Sequence, residues 1–212
     1  GKTGAARAQA VLLPLTTAKQ PALRLAAIDA LGSLGSSSPA VDAALLKALD
    51  DESSDARLRA ATSLARVGGA PIAKQLLERL AVSAEQDRGA IGIALSGALA
   101  RATDASLATQ AEKAVETAPD AARDGLIEGL GRMRGAAAAT ALTALAARGI
   151  DVRGKIAEAL AGHAELAPVA RKLAVDPDAG VRANAIWSLG AIGGRADVPL
   201  LFAEPTSLSF GE

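Results

Sequence analysis

The amino-acid sequence predicts an all-α fold built from about six stacked helix hairpins. The first observation is a sixfold repeat in which a leucine follows an arginine by seven residues, with successive arginines 33, 31, 35, 30 and 29 residues apart. The second is the composition, because 54 of the 212 residues are alanine and only three are aromatic. Repeats of this length that are rich in small residues are typical of α-solenoids, whose units pack only on their neighbours.

The second helix of each predicted hairpin carries this repeat. Apolar residues occupy most of the positions three and ten after the arginine, and a spacing of three, seven and ten lies on one face of a helix. The positions on either side of the leucine hold only Ala, Gly or Ser in all six copies, which allows neighbouring helix backbones to approach closely. The pairs are Arg24 and Leu31, Arg57 and Leu64, Arg88 and Leu95, Arg123 and Leu130, Arg153 and Leu160, and Arg182 and Leu189.

A shorter apolar helix is predicted between these segments. Its buried stripes include Val41, Leu45 and Leu49, and a proline near its start costs no hydrogen bond there. Acidic turns then precede the second helices, where aspartate accepts free N–H groups and complements the helix dipole. Three glycines are predicted to end second helices in the left-handed conformation: Gly35, Gly68 and Gly193. The third, fourth and fifth copies have Leu99, Arg134 and Ala164 at this position instead.

The last copy shows a family resemblance. Residues 176–193, with the sequence DPDAGVRANAIWSLGAIG, resemble the second helix of bacterial HEAT-like repeats of the PBS-lyase type. The other five copies are more loosely similar. The resemblance implies a right-handed α-α superhelix of the HEAT or armadillo type, in which the second helices line the concave side. It also implies that each repeated arginine pairs with an aspartate of a neighbouring turn. We call these six arginines the arginine ladder.

The repeats divide the chain into three segments. We expect residues 1–7 to be a disordered or linker segment, residues 8–195 to form the solenoid, and residues 196–212 to be a stub or tail that could cap the last repeat. The chain begins without methionine and its end repeats look uncapped, so we expect it to be a piece of a larger protein.

Composition excludes several functions. Without cysteine there is no disulfide scaffold or thiol nucleophile, and a single histidine, His163, cannot build a His-rich metal cluster. We expect His163 to be packed in the core, with Glu165 facing elsewhere. No phosphate-binding loop and no basic stripe interleaved with aromatics occurs, which disfavours nucleic acid as a partner. No run of apolar residues is long enough to span a membrane. We expect no cofactor and no metal.

The candidate binding residues lie on the face of the second helices that points away from the leucine stripe. The resemblance implies that this is the concave surface. Mixed charges spaced four apart are also typical of a solvated helix face. A lone tryptophan could be a binding hot spot, or it could cover the end of the stack together with Phe202 and Phe210. The candidates are Trp187, Ile93, Arg59, Arg66, Glu128 and Glu158.

These observations predict a non-catalytic scaffold that presents the concave face of a solenoid to a protein partner. The alternatives are a bilin lyase-like enzyme or chaperone, which are functions found among similar repeats, and a structural spacer that docks on other domains of the same polypeptide. Compartment does not follow from the sequence, although the cytoplasm is slightly favoured over the periplasm.

Overall fold

The computed structural model describes residues 2–148 and 152–202 of the chain. Within these ranges it contains thirteen α-helices, three short 3₁₀ turns and no β-strand, which confirms the all-α prediction. The chain separates into two compact units, Gly1–Ala138 and Ala139–Glu212, which are described one at a time.

The first unit contains four helix hairpins in chain order. Its helices are α1 (Lys2–Leu15), α2 (Pro21–Ser33), α3 (Pro39–Ala48), α4 (Ser54–Val67), α5 (Ala70–Val82), α6 (Glu85–Ala100), α7 (Ala105–Thr117) and α8 (Asp120–Arg132). The helix that follows, α9 (Ala136–Ala147), contains the division between the units.

Within the described residues, the second unit continues with four further helices. It contains α10 (Arg153–Ala159), α11 (Ala167–Leu173), α12 (Ala179–Ile192) and α13 (Val198–Phe202). The 3₁₀ turns Leu160–Gly162 and Ala164–Leu166 connect α10 to α11, and Arg195–Asp197 connects α12 to α13.

The helices of each unit pack in rows. In the first unit the second helices of the hairpins, α2, α4, α6 and α8, lie side by side, and each also packs on the first helix of its own hairpin. In the second unit α10 packs on α12 in the same way. All six repeat leucines are buried, with at most 1% of any side chain exposed. The apolar stripe predicted from the sequence is therefore the core.

Backbone contact between second helices is possible because glycine stands at the crossing points. A Cβ atom on Gly92 of α6 would lie 2.6 Å from the Cα of Ala122 in α8. A Cβ atom on Gly97 would overlap the carbonyl oxygen of Ala65 in α4, and one on Gly125 would overlap the carbonyl oxygen of Gly92. Any larger residue would push these helices apart.

Buried serines add hydrogen bonds at the same crossings. Ser63 Oγ donates to the carbonyl oxygen of Ile28 at 3.0 Å, which joins α4 to α2. In the second unit Ser188 Oγ donates to the carbonyl oxygen of Ala157 at 2.6 Å, which joins α12 to α10. A hydroxyl here is small enough for close packing and bonds to a carbonyl of the neighbouring helix.

Three local predictions need correction. Helix α1 begins at Lys2, whereas the sequence predicts a linker or disordered segment up to residue 7; alanine-rich sequence has high helix propensity, and this segment continues directly into the helix. Of the three closing glycines, only Gly35 is left-handed, with φ of +60°. Gly68 and Gly193 are extended, and glycine is needed there because a Cβ atom would lie 2.6 Å from the Leu64 carbonyl oxygen and 2.5 Å from the Leu189 carbonyl oxygen.

The fifth second helix is also shorter than its repeat pattern predicts. The spacing continues through His163, but α10 ends at Ala159 and the chain tightens into 3₁₀ turns. Such turns are common at helix ends, where the last carbonyls lack partners within the α-helix.

We predict that Gly97→Ala lowers the free energy of unfolding by at least roughly 1–3 kcal/mol, because the added methyl group forces α6 away from α4. Thermal denaturation followed by circular dichroism measures the change.

Gly190→Ala is the matched control. Gly190 lies in α12 with no atom within 4 Å of its added Cβ, so helix propensity should make this variant more stable by up to about 1 kcal/mol. Equal effects of the two substitutions would contradict the close-approach explanation.

Candidate protein-binding surface

The exposed side of the second helices carries the predicted binding residues, and we call it the second-helix face of each unit. In the first unit it holds four of them: Arg59 and Arg66 on α4, Ile93 on α6 and Glu128 on α8. Glu158 on α10 and Trp187 on α12 lie in the second unit. All six side chains are exposed, and each unit brings its own members onto adjacent or nearby helices.

Most of the charges on this face are paired with one another. Arg59 of α4 forms an ion pair with Asp29 of α2. Glu128 Oε1 lies 3.1 Å from Nη1 of Arg132, four residues along the same helix. In the second unit Lys155 Nζ lies 3.1 Å from Oε2 of Glu158. Exposed pairs of this kind add little stability, so they chiefly set the polarity of the surface.

Arg101 is a residue of this face that the repeat pattern did not reveal. It stands thirteen residues after Arg88, at the end of α6, and only the last copy, with Arg195, has another basic residue at that position. Its Nη1 donates to the carbonyl oxygens of Ala65 at 2.6 Å and Gly97 at 2.8 Å, so it ties α6 to α4 where their backbones touch. By contrast, Arg66 makes no hydrogen bond or ion pair with any described residue.

Trp187 is 62% exposed, which is unusual for the largest apolar side chain. Its neighbours in α12 face inward: Ser188 bonds to α10, and Asn184 Nδ2 donates to the carbonyl oxygen of Gly154 at 2.9 Å. These bonds fix the helix with the indole on the outside. The Phe202 side chain and Phe210 lie outside the described part of the structure, so the interpretation of Trp187 as an end cap is untested.

Three members of the arginine ladder contact an aspartate just before or in the first turn of the next second helix. Arg24 Nε lies 2.7 Å from Asp51 Oδ2, and both side chains are nearly buried. Arg57 Nε lies 3.4 Å from Asp87 Oδ1. In the second unit Arg153 Nε lies 3.1 Å from Asp176 Oδ2.

Arginines of the ladder also bond to the turn before their own helix. Nη1 of Arg57 donates to the carbonyl oxygen of Asp51 at 2.9 Å, and Nη1 of Arg182 donates to that of Asp176 at 2.8 Å. Asp51 therefore accepts from one arginine with its side chain and from the next with its backbone. Its Oδ1 also accepts from the Ser53 N–H at 2.9 Å, which fixes the turn.

The remaining arginines depart from the pairing that the resemblance implies. Arg123 Nη1 lies 3.0 Å from Asp120 Oδ1 in its own helix, and the next turn, at residues 149–151, lies outside the described residues. Arg182 bonds to backbone carbonyls of its own turn. Arg88 Nε donates to the carbonyl oxygen of Ser83 at 3.0 Å and contacts no carboxylate in the described chain.

Comparison with known sequences now identifies the family. The family model for HEAT repeats matches residues 10–96 and 150–203, which is more than half of the chain. The chain belongs to the HEAT-repeat family. No curated protein sequence matches it.

Two solved structures are similar to this chain. An engineered protein solved by the Northeast Structural Genomics Consortium is 18% identical, with a TM-score of 0.51 over 87% of this chain and 96% of that one. A designed armadillo repeat protein, solved in complex with the peptide (KR)4, is 15% identical, with a TM-score of 0.49 over 85% of this chain and 98% of that one. The first of these likenesses extends a shared fold over most of this chain.

His163 lies in the core of the fifth HEAT repeat, with 4% of the residue exposed. Its Nδ1 lies 3.7 Å from Glu165 Oε1, although the sequence places Glu165 on another face. The 3₁₀ turn after His163 brings the two side chains together, because the α-helical spacing no longer applies there. Within the described residues, no three His, Asp or Glu side chains cluster as metal ligands would.

Asp197 ties the end of the last HEAT repeat to α11. Its carboxylate accepts from Arg171 Nε and Nη2, the latter at 3.0 Å, and from the Gly194 N–H at 2.8 Å. The hydrogen bonds from Arg171, followed by the one from Gly194, lower the pKa of Asp197 to about 2. This pair lies at the edge of the second unit and serves its folding.

No helix within residues 2–148 and 152–202 has the length and apolar character needed to cross a membrane.

We predict that Arg24→Gln lowers the free energy of unfolding by about 3 kcal/mol, because it leaves the nearly buried Asp51 carboxylate without its cation. Arg132→Gln is the control, since it removes an exposed pair within one helix that contributes about 0.3–0.5 kcal/mol. Urea denaturation measures both. A loss for Arg24→Gln as small as that of the control would show that the ladder does not stabilise the stack.

We predict that Asp197→Asn lowers Tm at neutral pH and that this difference disappears in acid. The unfolded carboxyl titrates near pH 3.9 and the folded one at about pH 2. A lowered folded pKa means that the stabilisation is complete above about pH 4 and is lost as the pH falls towards 2. Thermal scans from pH 7 to 2 measure it. Asp120→Asn, at a 94% exposed side chain, is the control. It should not show a Tm difference that is present at neutral pH and disappears in acid.

Proposed function

We propose that this protein is a non-catalytic scaffold that binds a protein partner through its second-helix faces. The observation that carries the proposal is that Trp187 is exposed on α12, while Asn184 and Ser188 of the same helix hydrogen-bond to α10. Large aromatic side chains dominate the binding energy of protein interfaces. In a chain with three aromatic residues, an outward tryptophan on a rigid helix is the strongest candidate for such an anchor.

The first unit supports the proposal with a weaker anchor. Ile93 is 38% exposed on α6, and the flanking helices α4 and α8 carry ion-paired charges on the same side. An apolar centre with a polar rim is the usual anatomy of a protein interface. The pairing of these charges within the face also favours a protein over a nucleic acid, since few basic groups are left for phosphates.

Rigidity is the third support. The second helices are joined by backbone contact at Gly92 and Gly97 and by side-chain bonds from Arg101 and Ser63. A surface that is already ordered loses little conformational entropy on binding. The partner in this proposal is another protein or another domain of the same polypeptide.

We predict that Trp187→Ala weakens capture of the partner about thirtyfold, the equivalent of the 2 kcal/mol expected of an interface hot spot. Ile93→Ala should weaken it less. The measurement is affinity capture from cells that express the protein, followed by titration of the enriched partner with purified variants.

Val175→Ala is the matched control, because Val175 is 73% exposed but lies in the turn after α11. Unchanged affinity in Trp187→Ala, or an equal loss in Val175→Ala, would overturn the second-helix face as the binding surface. A stoichiometric tetrapyrrole retained by the protein would favour the bilin lyase-like alternative.

A further inference from the structure

A cleft on the other side of the first unit contains Arg88, the ladder arginine of this unit that contacts no carboxylate among the described residues. It lies between α5 and α7, the first helices of their hairpins, and has a volume of about 500 Å³. Its walls are mostly apolar, and they include Leu77, Leu80 and Ala114. Arg88 of the arginine ladder also lines it, and we call it the Arg88 cleft.

Arg88 is held differently from the arginines that have a carboxylate. In Arg24 and Arg153, Nε faces an aspartate of the next turn. In Arg88, Nε donates instead to the carbonyl oxygen of Ser83 in its own turn. Its Nη1 and Nη2 make no hydrogen bond or ion pair within the described chain, so the end of the guanidinium fork is available.

The sequence explains why this position is open. Asp51 and Asp176, which receive Arg24 and Arg153, each stand six residues before the next arginine of the ladder. The residue at that position for Arg88 is Thr117, which also lines the cleft. A hydroxyl in place of a carboxylate leaves Arg88 without the anion that its equivalents hold.

We propose that the Arg88 cleft binds an aspartate or glutamate side chain of a partner polypeptide, flanked by an apolar residue. The Nη1 and Nη2 groups at the end of the arginine fork match a carboxylate in two parallel hydrogen bonds. Arg24 holds Asp51 in a comparable two-point contact, through Nε and Nη2. Lys113 adds a second positive charge to the lining and Glu78 a negative one, so the cleft has a net positive charge. Leu77 and Leu80 receive the apolar neighbour.

This site is separate from the second-helix face, because it is formed by α5, α7 and the start of α6. It neither contains nor requires Trp187, so the failure of either proposal leaves the other standing.

The test is a titration of the ¹⁵N-labelled protein, followed by the Nε–Hε signal of Arg88 in NMR. The signal is assigned by its absence in Arg88→Gln. The probes are two capped peptides, acetyl-Leu-Asp-Leu-amide and acetyl-Leu-Asn-Leu-amide, with inorganic phosphate as a third. We expect the aspartate peptide to shift the signal saturably in the millimolar range and the asparagine peptide not to do so.

The decisive variant is Thr117→Asp, which supplies the missing ladder carboxylate within the chain. It should shift the Arg88 signal without any peptide and raise Tm. It should also lower the affinity for the aspartate peptide at least about tenfold. Thr117→Asn is the uncharged control and should bind the peptide like the original protein.

Three outcomes would overturn the proposal. They are equal shifts from the aspartate and asparagine peptides, undiminished binding in Thr117→Asp, and no saturable shift from the aspartate peptide. A shift from phosphate stronger than that from the aspartate peptide would also overturn it, because it would assign the cleft to phosphate rather than to a carboxylate.

Discussion

Direct contact between the backbones of neighbouring second helices is the constraint on which the rest of the structure depends. At Gly97 and Gly92 the partner helix occupies the space of a side chain, so α4, α6 and α8 have one available spacing. That spacing brings Arg101 within reach of the Ala65 carbonyl oxygen. Small residues also allow α2 and α4 to approach, where Ser63 bonds to the carbonyl oxygen of Ile28. The repeat leucines are buried beside these small residues. The composition follows from this geometry, since only small residues can stand beside the contacts.

The arginine ladder acts at the start of each second helix. An arginine such as Arg57 donates to a carbonyl oxygen of the turn before its own helix. It also contacts an aspartate at the start of the next second helix. Close packing thus sets the distance between repeats, while the ladder orders their turns. Arg88 shows that close packing and the ladder are independent, because α6 and α8 are in close contact although no described carboxylate pairs with Arg88. Repeat proteins tolerate such a local change because each unit depends only on its neighbours.

The exposed surfaces consist of the helix positions that neither the close packing nor the arginine ladder uses. On α12, Ser188 and Asn184 face α10, and Trp187 consequently points outward. On α4 and α8 the outward positions carry charges that pair locally. The sequence predicted which helix face would be exposed, because the period of an α-helix relates these positions to the buried leucine. It could not predict that Arg59 binds Asp29, since the offset between neighbouring helices is a property of their packing.

The sequence by itself determined the helix hairpins, their number and their buried leucines, because these follow from a repeated spacing and from small residues at constant positions. Only the tertiary structure decided the ends of the helices and the partners of the polar groups. Gly68 and Gly193 occupy positions that predict left-handed caps, but their backbones are extended. Glu165 contacts His163 because a 3₁₀ turn replaces the α-helix there. Arg88 has the same place in the repeat as Arg24 but a different environment. Periodicity describes a residue's position along its own helix, whereas its contacts depend on atoms that the neighbouring repeat supplies.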